Sequence, residues 1–87
     1  QLLTPGGEHP FEVTSLVMDP GYSTEGRPFQ HEGEEFGLIL AGRHEVFLAG
    51  ERHVLEEGDS ITFDARVPHW YRNPGPDPVE ALWVVSL

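Results

Sequence analysis

The chain has no cysteine and no lysine. Without cysteine there is neither a disulfide framework nor a thiol nucleophile. That suits a reducing compartment, and the expected location is the cytoplasm. Without lysine there is no phosphate-loop lysine, no Schiff base and no lysine general base. Positive charge is scarce altogether: five arginines face 15 acidic residues, for a formal charge of −10. Such a surface repels a phosphate backbone, so no direct nucleic-acid contact is expected of it. A cationic ligand or a basic partner surface would suit it better. Long apolar runs are missing too. The longest is Ala81-Leu82-Trp83-Val84-Val85, far short of the ~20 residues of a membrane-crossing helix. No secretory signal pattern is visible, and no membrane partner is expected. Four serines occur and none stands in a G-x-S-x-G elbow, so no serine-based catalytic set is expected and no catalytic residue is assigned.

Glycine and proline, by contrast, are plentiful, at ten and eight of 87 residues. They cut the chain into short segments rich in β-branched and aromatic residues, and no window of helical length keeps an apolar stripe. The expected fold is all-β. Strands are predicted over 2–4, 11–18, 35–41, 43–48, 52–55, 60–63, 69–72 and 79–86, about eight in all. Ala49-Gly50-Glu51 reads as a hairpin tip with Gly50 at positive φ. Eight short strands without a helix imply a closed barrel or jelly roll, which limits open sheet edges. The chain starts at Gln1 and holds one methionine, Met18. The expectation is a single domain over residues 1–87, cut from a longer protein.

The residues that carry chemistry fall in two groups. His31 and Glu35 are four apart, so both point the same way if the segment is extended, and Gly33 between them would leave room beside a ligand or metal. His69, Tyr71 and Asn73 share a face of a later strand. If the two strands lie close, His31, Glu35 and His69 converge as two imidazoles and one carboxylate, a set that suits Fe, Mn, Ni or Zn with positions left open. Otherwise the three are scaffold without a metal. Glu34 has the opposite parity and is expected in solvent or on an arginine. Phe29, Phe47, Tyr71 and Trp83 either line a ligand cavity or simply fill a small barrel. His44 and His53 read as partly buried strand histidines, and His9 as a loop histidine. Asn73, before Pro74-Gly75, reads as a turn hydrogen-bonder. Arg66 and Arg72 either clamp a ligand carboxylate or pair with nearby acidic groups. Gly37 serves close strand packing or the wall of a pocket.

These spacings resemble the cupin superfamily. Its first motif runs G-x5-H-x-H-x3,4-E-x6-G, and His31, Glu35 and Gly42 match its second His, its Glu and its closing Gly. Its second motif runs G-x5-P-x-G-x2-H-x3-N, and Gly58, His69 and Asn73 match. The departures are Ser23 at the leading Gly, Phe29 at the first His, and Asp64 and Arg66 at the Pro and Gly of the second motif. The resemblance implies a small cupin-type β-barrel, a double-stranded β-helix or jelly roll. With Phe29 in place of a ligand His, it implies three remaining metal ligands and a drier pocket. The run Pro28–Gly37, with Gly58-Asp59-Ser60, Phe63-Asp64, Pro68-His69 and Arg72-Asn73-Pro74, is similar to the C-terminal cupin of bacterial helix-turn-helix regulators. That likeness implies a domain sensing a small-molecule effector, with or without a divalent metal. The alternatives are a metal-dependent enzyme of the Fe(II) oxygenase or isomerase type, and a metal-free pairing module. A homodimer is expected, with the Leu82 and Val84 face of the last strand as the apolar contact.

Overall fold

The computed structural model describes residues 1–4 and 10–86, and within them the glycine and proline punctuation delimits seven strands. These are β1 (Phe11–Met18), β2 (Glu34–Ala41), β3 (Arg43–Leu48), β4 (Glu51–Glu56), β5 (Ser60–Asp64), β6 (His69–Arg72) and β7 (Val79–Ser86). No residue among those described is helical. The segment 2–4 is not a strand of its own: Leu2 makes one isolated bridge to Thr14, and the Leu3 amide donates to the Val13 carbonyl. Pro5-Gly6-Gly7 and His9 lie outside the described residues.

All pairings are antiparallel and form two sheets, ordered β1-β7-β2-β5 and β4-β3-β6. Alternation along the strands sends one set of side chains between the sheets. The core there comprises Met18, Ile39, Phe63, Val79, Ala81 and Trp83 from one sheet and Val46 and Leu55 from the other. The β3–β4 hairpin turns on two residues, Ala49 and Gly50, both at positive φ, so Leu48 faces Glu51 directly. That is the twist-matched two-residue turn, one residue tighter than the predicted tip. Gly37 sits opposite Trp83 in the β2–β7 register. A Cβ at Gly37 would overlap the six-membered ring of Trp83. The missing side chain therefore makes room for the indole, which in turn walls the pocket described below, so packing and pocket wall are one role.

On its free edge, β6 is covered by the loop between β1 and β2. Phe29 and His69 exchange backbone hydrogen bonds of 2.7 and 2.9 Å, the His31 amide donates to the Ala65 carbonyl, and the Thr24 amide donates to the Tyr71 carbonyl. This pairing brings a loop residue, His31, beside a strand residue, His69.

Candidate functional site

His31, Glu35 and His69 offer ligand atoms that all lie within 4.8 Å of one another. Glu35 and His69 are buried and His31 is half exposed. Convergence is reached by a different route from the one the spacing suggests. Residues 31–33 are not extended; Gly33 has φ +106° and turns the chain, so His31 folds back over Glu35. A Cβ at Gly33 would meet the Ser86 Oγ at 2.6 Å and the Ser86 carbonyl at 2.8 Å. The glycine is there for the turn and for this close approach, not to leave space beside a metal.

Each imidazole is oriented from behind. His69 Nδ1 lies 2.8 Å from the Val67 carbonyl and His31 Nδ1 lies 3.0 Å from the Glu32 carbonyl. A carbonyl only accepts, so Nδ1 carries the proton in both rings, and Nε2 presents a lone pair when the ring is neutral. Both Nε2 atoms stand 2.8 Å from the same oxygen, Glu35 Oε2. For His69 the distance is that of an ion pair, but the angle is not that of a hydrogen bond. Its Nε2 is buried with no hydrogen-bond partner among the described residues. The other carboxylate oxygen, Oε1, accepts from the Tyr71 hydroxyl at 3.1 Å. Two lone pairs and a carboxylate oxygen gathered around one point, each backed by a hydrogen bond on its far side, fit a divalent metal, whose bonds to N and O run about 2.0–2.2 Å. Alternatively a proton on His31 bridges to Glu35. The hydrogen bond to the Glu32 carbonyl raises the His31 pKa above the usual imidazole value, against partial desolvation and with help from Glu35.

Beside this cluster is a cavity of about 460 Å³. Phe29, Tyr71 and Trp83 line it, with His31 and Glu35 at its polar end. Thr14, Leu16, Val17 and Met18 of β1, with Tyr22 and Val85, complete the wall. These were not assigned from sequence; the even spacing of Thr14, Leu16 and Met18 was the available signal. Phe47 is not among the lining residues, which corrects the expectation for it. It stands on the outer face of β3, stacked on Trp70 at 3.7 Å between ring centroids and 2° between planes. Arg72 lies over both rings and, with Arg52, holds the buried Glu45 carboxylate on that face. Hydrogen bonds from Arg72 and then Arg52 outweigh burial and lower the Glu45 pKa. Arg66 pairs with Asp64 at 2.8 Å, and that hydrogen bond takes the Asp64 pKa down to about 2. Neither Arg66 nor Arg72 reaches the cavity. Glu34 is exposed and forms no ion pair among the described residues.

His53 is half buried and 3.5 Å from Glu51, but His44 is fully buried, more deeply than its reading as a partly buried histidine. Both of its ring nitrogens lack a partner among the described residues. Asn73, also fully buried, bonds the turn as expected and reaches β1 besides.

The family model for the cupin domain matches residues 14–85. Over 76 residues the chain is 30% identical to the mannose-1-phosphate guanylyltransferase of Escherichia coli, which covers 87% of this chain and 16% of that one. Over 65 residues it is 32% identical to the helix-turn-helix transcriptional regulator SutR of Escherichia coli K12, covering 75% and 36%. The chain thus spans well under half the length of these curated relatives. Among solved structures, the cupin domain of an XRE-family transcriptional regulator from Enterobacter cloacae matches with a TM-score of 0.88 at 25% identity, covering 100% of this chain and 93% of that one. A nucleotidyltransferase and a regulator both contain such a stretch, so the likeness carries the domain rather than one activity. The chain belongs to the cupin family, and its domain resembles those of helix-turn-helix regulators.

Proposed function

We propose that this domain, residues 1–87 of a longer cytoplasmic regulator, senses a small-molecule effector in the barrel, with a divalent transition metal held by His31, Glu35 and His69. The observation that carries the reading is the cavity. At about 460 Å³, with an apolar and aromatic wall and its polar groups gathered at one end, it has the size and lining of a small-ligand site. The likeness to regulator cupins supports a sensing rather than a catalytic use, and the oxygenase or isomerase alternative is not the reading that likeness favours. When bound, the metal would supply a Lewis-acidic centre with open positions for an effector's oxygen or nitrogen atoms. Phe29, Tyr71 and Trp83 would hold the effector's apolar body. Tyr22, Phe29 and His31 belong to the loop that covers β6, so an effector touching them biases that loop. Coupling to an attached domain requires the effector to favour one loop arrangement over another.

The domain is read as a homodimer. The outer face of the larger sheet presents Phe36, Leu38 and Leu40 of β2 beside Leu82 and Val84 of β7, flanked in register by Val13, Ser15, Ser60 and Thr62. None of these is charged. Glu34, Asp64 and Glu80 share the parity of this face but lie at its ends, so a second copy would cover its uncharged middle. Light scattering at micromolar concentration is expected to give a dimer; a monomer removes this part of the reading.

The metal is tested by elemental analysis after incubation with Fe(II), Mn(II), Ni(II) and Zn(II). Close to one ion per chain is expected, lost in His31→Ala, whose partly exposed side chain leaves the core untouched. No metal under any condition leaves an effector pocket without one. Thermal melts across a panel of small amines, carboxylates and sugars then test the effector. A compound that raises the melting temperature of the wild type and not of Leu16→Trp, which fills the cavity, is the expected result.

A further inference from the structure

Tyr71 belongs to both halves of the site: its ring lines the cavity and its hydroxyl donates to Glu35 Oε1 at 3.1 Å. A carboxylate can meet a metal through one oxygen or through both. Here Oε1 is engaged by the phenol, and Oε2 alone faces the two imidazole Nε2 atoms, at 2.8 Å each. We propose that Tyr71 is a positioning residue that fixes Glu35 as a one-oxygen metal ligand by holding its other oxygen. The proposal rests on the reading of His31, Glu35 and His69 as metal ligands.

The ring has little freedom to withdraw its hydroxyl. Trp83 lies 5.1 Å away between centroids and His69 and Phe29 each lie at 5.9 Å. His44 is stacked on it at 5.7 Å with 21° between planes. The Tyr71 amide donates to Thr24 Oγ1, which ties β6 to the covering loop at this residue. His44, with no polar partner among the described residues, acts here through its ring face, which makes it a control for packing without the hydroxyl.

The test is Co(II) binding by the domain, followed by affinity and by the visible ligand-field spectrum. Tyr71→Phe keeps the ring and frees Oε1 to reach the metal. The Kd is expected to rise about 10–100-fold, and the spectrum to change as Glu35 moves from one oxygen to two. His44→Phe changes the ring stacked under Tyr71 and keeps the hydroxyl, so its spectrum is expected to match the wild type. Equal affinity and an unchanged spectrum in Tyr71→Phe overturn the proposal and leave the metal site standing. A wild-type domain that binds no Co(II) removes the metal reading and the proposal with it. Tyr71→Leu, which also lacks the hydroxyl, repeats the test should Tyr71→Phe fail to fold; wild-type affinity and spectrum there would overturn the proposal equally.

Discussion

Asn73→Ala is expected to lower the stability of the domain by about 3 kcal/mol. The side chain is fully buried and makes three hydrogen bonds, all to backbone groups. Its Nδ2 donates to the Met18 and Asp77 carbonyls, both at 2.9 Å, and its Oδ1 accepts from the Gly75 amide at 2.8 Å. Alanine leaves three backbone groups without their partner, at about 1 kcal/mol each or more where water cannot enter. The main chain of Asn73 adds two further ties, donating to the Tyr22 carbonyl and accepting from the Gly21 amide. One residue thus fastens the end of β1, the loop after it and the turn between β6 and β7. Thermal melts read the effect. For a domain of this size about 3 kcal/mol corresponds to a fall of about 12–24 °C. Asn73→Asp is expected to do no better, because a carboxylate has no N–H to give Met18 and Asp77 and brings a charge into the core. A fall of only a few degrees in Asn73→Ala would mean that water replaces the amide. Met18 and Tyr22 line the cavity, so the loosening would also be felt where the effector is proposed to bind.

Much of this framework was legible because glycine and proline mark where strands stop. Phe11–Met18, Arg43–Leu48, His69–Arg72 and Val79–Ser86 run as predicted. What depends on non-local pairing was not legible. Strand parity joins His31 and Glu35, yet they meet through a turn at Gly33, where a Cβ would collide with Ser86 far along the chain. Phe47 reads as cavity lining or barrel filling, and the apolar run Val46-Phe47-Leu48 hides which parity faces inward. Its burial on the outer face comes from Trp70 and Arg72 on β6, a neighbour that only the sheet order supplies. The lining from β1 was missed for the same reason: Thr14 faces inward because its partner in β7 is Trp83. The link from Tyr71 to Glu35 joins residues 36 positions apart, and nothing local announces it.

The stability of the metal-free domain is expected to fall by about 3 kcal/mol between pH 6.5 and pH 4, and His44→Phe is expected to abolish most of that fall. Burial pushes the His44 pKa down from 6.5 to about 4, with the neighbouring Glu45 charge opposing weakly. The unfolded chain therefore takes up a proton at His44 in a range where the folded chain does not. Each pH unit then favours unfolding by about 1.4 kcal/mol, and the effect levels off below the folded pKa. His31 has the opposite sign. Its raised pKa contributes stability that is fully present below pH 6.5 and is lost only as pH rises through the folded value. It adds no slope in the acid window. The lowered pKa of Glu45 contributes stability that is lost only as pH falls below the ordinary carboxylate value of 4.5 and on through its folded value. Between pH 6.5 and 4.5 the difference between wild type and His44→Phe thus isolates His44, and urea unfolding at half-unit steps measures it. At pH 7 the substitution is expected to stabilise the domain, since it removes two buried nitrogens that have no partner among the described residues and keeps a flat ring beneath Tyr71. If His44→Phe instead destabilises the domain at pH 7 and retains the acid slope, then a bound water satisfies the imidazole, and His44 is a member of a polar network rather than an isolated ring.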